Sequence, residues 1–406
     1  MHRFDPTIMD NRSSNVADWN PSDQVGSFAR HVRERVHTRD WRQLAPKAVV
    51  AALIGFVLLY LFVLTTPSTG IGGSWRTTNF GSAIDDPGAF LRILLDALTF
   101  AGLLFIVASG FSLIFGLMRV VNMAHGSFYL LGGYIAYEVQ QEMTGQGFSI
   151  PGSEVNTWEW VLPMLVAAGF VAVFGLLIQQ LLLRWNQGQD LRQALITIAV
   201  SVIVADQVIA HFPRHVPEGG LRFGGQAVQI TWPGWTNRLV DLHIWNVQYS
   251  LARLSMLALG ALVGVALWLW LYRTKTGMVI RAGVDDRQMT SALGLNIQRT
   301  FAIAFVVGSA LVAVGATVGA SQANVATGQD GQWLLNALVV VIIGGMGSLF
   351  GAAAGSLLYA LVFSFSAAYL PVTSDGCCTQ FSIISTFVLL ALVLAFRPQG
   401  LFGRAE

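Results

Sequence analysis

The chain has 406 residues, is 54% hydrophobic and 11% charged, and carries a net charge of +2. A water-soluble domain carries about 25% charged residues, so this composition excludes a chain that faces water on every side and places it in a membrane. The near-neutral balance gives no electrostatic footprint for nucleic acid, and the adjacent Cys377 and Cys378 form neither a disulfide framework nor a metal-ligand spacing.

Residues 1–47 are polar and mixed in charge. Val25, Phe28, Ala29, Val32 and Val36 recur at 3-to-4 spacing between Arg30, Arg33, Arg35 and Arg39. Two readings fit: a short amphipathic helix on the membrane surface, or a disordered tail. Residues 48–64 are apolar and just long enough to span. The long polar leader, and the lack of a small-x-small site in Thr65–Trp75, predict an uncleaved anchor rather than a signal peptide. Residues 65–89 then form an extracytoplasmic loop.

Further apolar segments follow at about 93–117, 123–140, 159–183, 193–212, 250–272, 300–320, 334–346, 348–367 and 381–396. The expectation is an all-α, polytopic membrane protein with about nine or ten transmembrane segments. The 334–346 piece is short for a crossing at about 1.5 Å per residue. It reads as a half-helix joined to 348–367 through Gly344-Gly345-Met346-Gly347, as a re-entrant pair or as two crossings. With the N-terminus inside and ten crossings, the inner side holds 18 of the 24 Lys and Arg, which predicts cytoplasmic termini. Trp158, Trp160, Trp185, Trp235, Trp245, Trp270 and Trp333 fall near segment ends, as interfacial anchors do. The loop 213–249, rich in Pro, Gly, Trp and Val, suits a small hairpin or a docking surface.

Four places carry candidate chemistry. Asn122-Met-Ala-His125-Gly126 opens a crossing, with Asn122 placed to cap the helix and His125 one turn in; a pathway or gate competes with capping and interhelical hydrogen bonding. The loop 273–299 is the one strongly charged loop between crossings. Within it Arg281, Gly283, Asp285, Asp286, Ala292 and Gly294 belong to a short helix with Val284, Met289, Ala292 and Leu293 near one face, ended by Gly294. Such a stub suits docking into a partner's groove, or simply lies at the headgroups. Asp206 and Gln207 interrupt an apolar segment, and a carboxylate there is expected to face the bundle interior or water. Gly344, Gly345 and Gly347, followed by Gly351 and Gly355, suit either a broken helix lining a midplane site or tight small-xxx-small packing.

Catalytic and metal-binding patterns are absent from the sequence. There is no Gly-x-x-x-x-Gly-Lys-[Ser/Thr] phosphate loop, no His-Glu-x-x-His and no paired-Cys metal site. The chain is therefore expected to be neither an enzyme nor cofactor-dependent, and any ATP hydrolysis to lie on a separate chain. A stand-alone ion-coupled secondary transporter is the rival class; it would need coupling acids within the membrane, for which Asp206 is the first candidate and Asp96 the second.

Three stretches together resemble one family. Phe115-Gly-Leu-Met-Arg-Val-Val-Asn-Met-Ala-His-Gly-Ser-Phe-Tyr-Leu-Leu-Gly-Gly-Tyr, Arg281-Ala-Gly-Val-Asp-Asp-Arg-Gln-Met-Thr-Ser-Ala-Leu-Gly-Leu-Asn and Val340-Val-Ile-Ile-Gly-Gly-Met-Gly-Ser-Leu-Phe-Gly-Ala-Ala-Ala-Gly resemble the branched-chain amino acid (Liv-type) ABC transporter permeases, LivH-like. The ending Phe396-Arg-Pro-Gln-Gly-Leu-Phe is also similar. The resemblance covers residues 90–406, and the first 89 residues look like additions. It implies a type II ABC importer-like permease domain in the cell inner membrane, with Gly-broken helices and 273–299 as the cytoplasmic coupling loop. It also implies ABC ATPase subunits, a second permease subunit in a homo- or heterodimer, and an extracytoplasmic solute-binding protein. The implied solute is a branched-chain or other small amino acid. Urea, short amides or another small organic solute stay open, because urea-type relatives look similar as well.

Overall fold

A computed structural model describes residues 86–118, 121–145, 155–186, 188–212, 226–241, 243, 245, 247–369 and 381–403. The tail 1–47, the anchor 48–64, nearly all of the loop 65–89, Arg119 and the Cys377–Cys378 pair lie outside the described residues.

The described chain is mostly helical. In order it forms α1 (Pro87–Met118), α2 (His125–Thr144), α3 (Thr157–Ile178), α4 (Asp190–His211), a two-stranded hairpin β1 (Leu239–Asp241) and β2 (Gln248–Ser250), α5 (Leu251–Arg273), α6 (Lys275–Asp285), α7 (Arg287–Ala292), α8 (Ile297–Gln322), α9 (Gln329–Gly344), α10 (Leu349–Tyr369) and α11 (Phe381–Phe396). One π-helical turn, Gln179–Leu183, extends α3. The hairpin is antiparallel, with Leu239 opposite Ser250, and realises the hairpin expected in 213–249.

Among the described residues α1, α3 with its extension, α4, α5, α8 and α10 are long and apolar enough to cross a membrane. Apart from α4, which carries polar residues on one line, they are apolar all round, as helices surrounded by lipid or protein are. Together with α2, α9 and α11 they fill the apolar segments read from 93 onward. The helices α1, α8 and α2 form the centre. α1 packs against α8, α10 and α5, while α8 also packs against α3 and α2. Backbones touch where side chains vanish: a Cβ on Gly110 would meet the Gly308 carbonyl, the small-residue packing that helix pairs in lipid rely on.

α9 and α10 run antiparallel. Gly344 lies against Gly351, Gly355 lies against Val340, and the Tyr359 hydroxyl donates to Asn336 Oδ1 at 2.8 Å. One end of the bundle gathers the end of α1, α6, the α9–α10 reversal and the chain's last described residues. There Leu401 and Phe402 donate backbone N–H groups to Ile343 and Gly344, both at 2.9 Å. The opposite end holds the β hairpin, and Val228 there pairs with Val325.

Candidate functional site

The short charged loop folds as two helices, not the single one expected. Asp286 ends α6 and starts α7, with an extended backbone at φ −149°, and its Oδ1 accepts the Met289 N–H at 2.9 Å. This cap satisfies a helix donor that has no intrahelical partner. The break rotates the second half, so the predicted single apolar face is divided. Val284 points inward, its methyls against the glycines Gly116 and Gly347. Met289 and Leu293 point outward, 60% and 71% exposed. Gly294, at φ +77°, stops the unit in the left-handed region as expected.

Other loop residues fix its attachment. Arg281 turns back on α5: its Nε donates to the Leu271 carbonyl at 3.1 Å, and its guanidinium lies 4.4 Å from the Tyr272 ring centre. Gly283 is buried beside Leu117 of α1. Asp285, Asp286 and Ala292 are exposed.

The Asn122–Gly126 turn lies inside the bundle. His125 is the first residue of α2 rather than one turn in, and the position immediately before the helix is Ala124. Asn122 holds this start from two residues ahead, its Oδ1 accepting the Ala124 N–H at 3.1 Å. The His125 Nε2 meets the Val107 carbonyl at 3.0 Å, and its ring stands edge-on to Phe111 at 5.0 Å. Those α1 residues sit two to three turns before Met118, roughly 10–16 Å along the axis. α2 therefore begins well within the bundle.

The first turn of α9 meets it there. A Cβ on Gly126 would overlap the carbonyl of Asp330, and Tyr129 stacks on Trp333 at 4.2 Å. Two interrupted helices thus bring their N-terminal, partly positive ends together within the bundle. Asn122 Nδ2, His125 Nδ1 and the Tyr129 hydroxyl are buried near this junction without a hydrogen-bond partner among the described residues.

Gly344, Gly345 and Gly347 turn the chain between α9 and α10 at the end that carries α6. Gly345 (φ +101°) is pressed by Gly400 and Gly403, and Gly347 (φ +81°) by Gly116. Their nearest neighbours are mostly backbone atoms of the same chain, the geometry of close small-residue packing.

Of the two expectations for Asp206 and Gln207, an interior-facing position is not what the structure has. Both are exposed on α4. That helix turns Gln193, Thr197, Val200, Val204 and Val208 inward, a 3-to-4 stripe that leaves Asp206 on the outer side. Asp96, the other acid the secondary-transporter reading needs, is tied to Arg253 and accepts the Tyr249 hydroxyl at 2.8 Å. Burial pushes the Tyr249 phenol up to about 12, so it stays a donor. Neither acid is a free interior carboxylate.

Sequence reading missed Thr197 and Ser201. Thr197 Oγ1 accepts the Met123 N–H at 3.2 Å and Ser201 bonds Ser127 at 2.7 Å, fastening α4 to the start of α2. The signal was present as Gln193, Thr197 and Ser201 at intervals of four, one face of a helix.

A family model described as the branched-chain amino acid transport system / permease component matches residues 93–396. The chain is 27% identical over 328 residues to the high-affinity branched-chain amino acid transport system permease protein LivH of Salmonella typhimurium, covering 78% of this chain and 96% of that protein. BraD of Pseudomonas aeruginosa, with the same description, is 28% identical over 332 residues, 78% of this chain and 97% of its own length. LivM of Escherichia coli K12, also a permease protein of such a system, is 24% identical over 335 residues, 79% and 72% of the two chains. No solved structure matches at a significant level.

Proposed function

Because the chain belongs to the branched-chain amino acid transport system permease component family, we propose that it is the transmembrane permease subunit of an ATP-driven importer for branched-chain or other small amino acids. The solute is received from an extracytoplasmic binding protein and passes between this chain and a second permease subunit, while ATP is hydrolysed on separate chains. The end bearing α6 and α7 faces the cytoplasm, a reading that the excess of Lys and Arg on that side supports.

The observation that carries the coupling role is the division of the loop at Asp286. One half is apolar and outward, at Met289 and Leu293, and the other half rests through Val284 on Gly116 and Gly347. An ATPase that grips the outer knob therefore moves a lever seated on α1 and on the α9–α10 reversal. Arg281, Gly283, Asp285, Asp286, Ala292 and Gly294 shape and attach that lever. Asn122, His125 and Gly126 form the joint between interrupted helices, and Gly344, Gly345 and Gly347 form the packed pivot.

Co-purification of the tagged full chain in mild detergent, followed by uptake of labelled leucine into proteoliposomes, tests this reading. ATPase subunits and a permease partner are expected to accompany the chain, with uptake requiring ATP and the binding protein. Uptake by the chain alone without ATP overturns it.

A further inference from the structure

The outward face of α4 differs from the other outward faces of the bundle. On α3 that face is Leu165, Val166, Phe170, Val173 and Leu177, and on α5 it is Leu262, Val265, Trp268, Leu269 and Tyr272. These suit lipid. On α4 it is Leu191, Leu195, Ile198, Val202, Ile203 and Ile209, with Asp206 among them. At about 100° per residue, Leu195, Val202 and Asp206 fall within roughly 40° of one another, so the carboxylate stands in the middle of the apolar stripe. It lies about 8 Å from the end of the helix at His211.

A carboxylate directed into lipid is costly, and such acids are rare and paired where they occur. It persists where a donor meets it. A water-filled path would be polar along its length, whereas this stripe has one acid amid large aliphatic side chains, the pattern of a packed helix seam held by one polar contact. Among the described residues no ion-pair partner for Asp206 is present. Arg253, in the first turn of α5, is already paired with Asp96. A second copy packed α4 to α4 about a two-fold axis along the membrane normal would set carboxylate against carboxylate.

We propose that the outward face of α4 is the seam with a second permease subunit of different sequence, which presents a basic or amide donor to Asp206. This rests on the permease reading above and adds to it the face used, the residue that sets its register and the partner's chemistry.

Site-specific photo-cross-linking at Val202 and Ile209 of the full chain in its native membranes tests the seam, with adducts sequenced by mass spectrometry and Phe170 on α3 as the lipid-facing control. The expected product is a covalent adduct with a different permease-family chain, at a segment carrying Lys, Arg, Asn or Gln, and none at Phe170. Asp206→Leu is expected to lower its yield about tenfold. Asp206→Lys is expected to abolish it, and an acidic residue at the partner's cross-linked donor to restore it. Adducts with lipid alone, with a second copy, or with residues 48–64 of the same chain overturn the proposal. Retained co-purification of ATPase subunits in those cases shows that the seam assignment failed while the importer reading stands.

Discussion

Gly116 near the end of α1 and Gly347 in the α9–α10 reversal meet backbone to backbone: a Cβ on Gly116 would lie 2.9 Å from the Gly347 Cα. Val284 of the loop helix covers both. This contact joins the central helix, the reversal and the loop unit at one point, so strain placed there reaches all three.

Gly347→Ala is expected to impair transport more than Gly116→Ala. It adds the same crowding to a residue at φ +81°, where an L side chain costs about 1–2 kcal/mol. Uptake and ATP hydrolysis measured together check this: uptake falls, roughly tenfold for each 1.4 kcal/mol, while hydrolysis persists. Normal uptake in Gly347→Ala would detach the reversal from coupling.

Asp286→Ala removes the cap of α7 and is expected to cost that short helix about 1 kcal/mol. Asp286→Ser keeps a cap without the charge. If local order of the loop is what matters, uptake drops in the first variant and recovers in the second. Equal loss in both would assign the role to the charge itself.

Met289→Asp and Leu293→Asp put charge on the exposed knob without touching the bundle. Membrane insertion and thermal stability are expected to stay unchanged while co-purified ATPase is lost. Retention of the ATPase in the double variant places docking elsewhere.

Gly126→Ala forces apart the starts of α2 and α9, an overpacking cost of about 1–3 kcal/mol. Gly331→Ala on α9 meets no neighbour within 4 Å and is neutral or stabilising by up to about 1 kcal/mol. Thermal unfolding of the purified protein separates the two, and equal midpoints would disprove the close junction.

Much of the fold was legible because lipid imposes length. Segments read at 250–272 and 300–320 became helices at Leu251–Arg273 and Ile297–Gln322, since a run of apolar residues bounded by polar ones has few other solutions in a membrane. The stop at Gly294 and the reversal at Gly344–Gly347 were also visible, because positive φ is where glycine is required. The candidate site was less legible. The Asp286 break was hidden inside what reads as one helical pattern, and it separates Val284 from Met289 and Leu293.

What the sequence determined by itself was membrane residence, the helical segments and the places where the chain must turn. What only the tertiary structure decided was rotation and depth: that Asp206 faces outward, that α2 starts beside Val107 and Phe111, and that Val284 rests on Gly116 and Gly347. The reason is physical. A helix apolar on every side carries no inward-facing stripe for the sequence to reveal, so its rotation is set by close packing against its neighbours, at glycines and at a few polar bonds such as Thr197 to Met123.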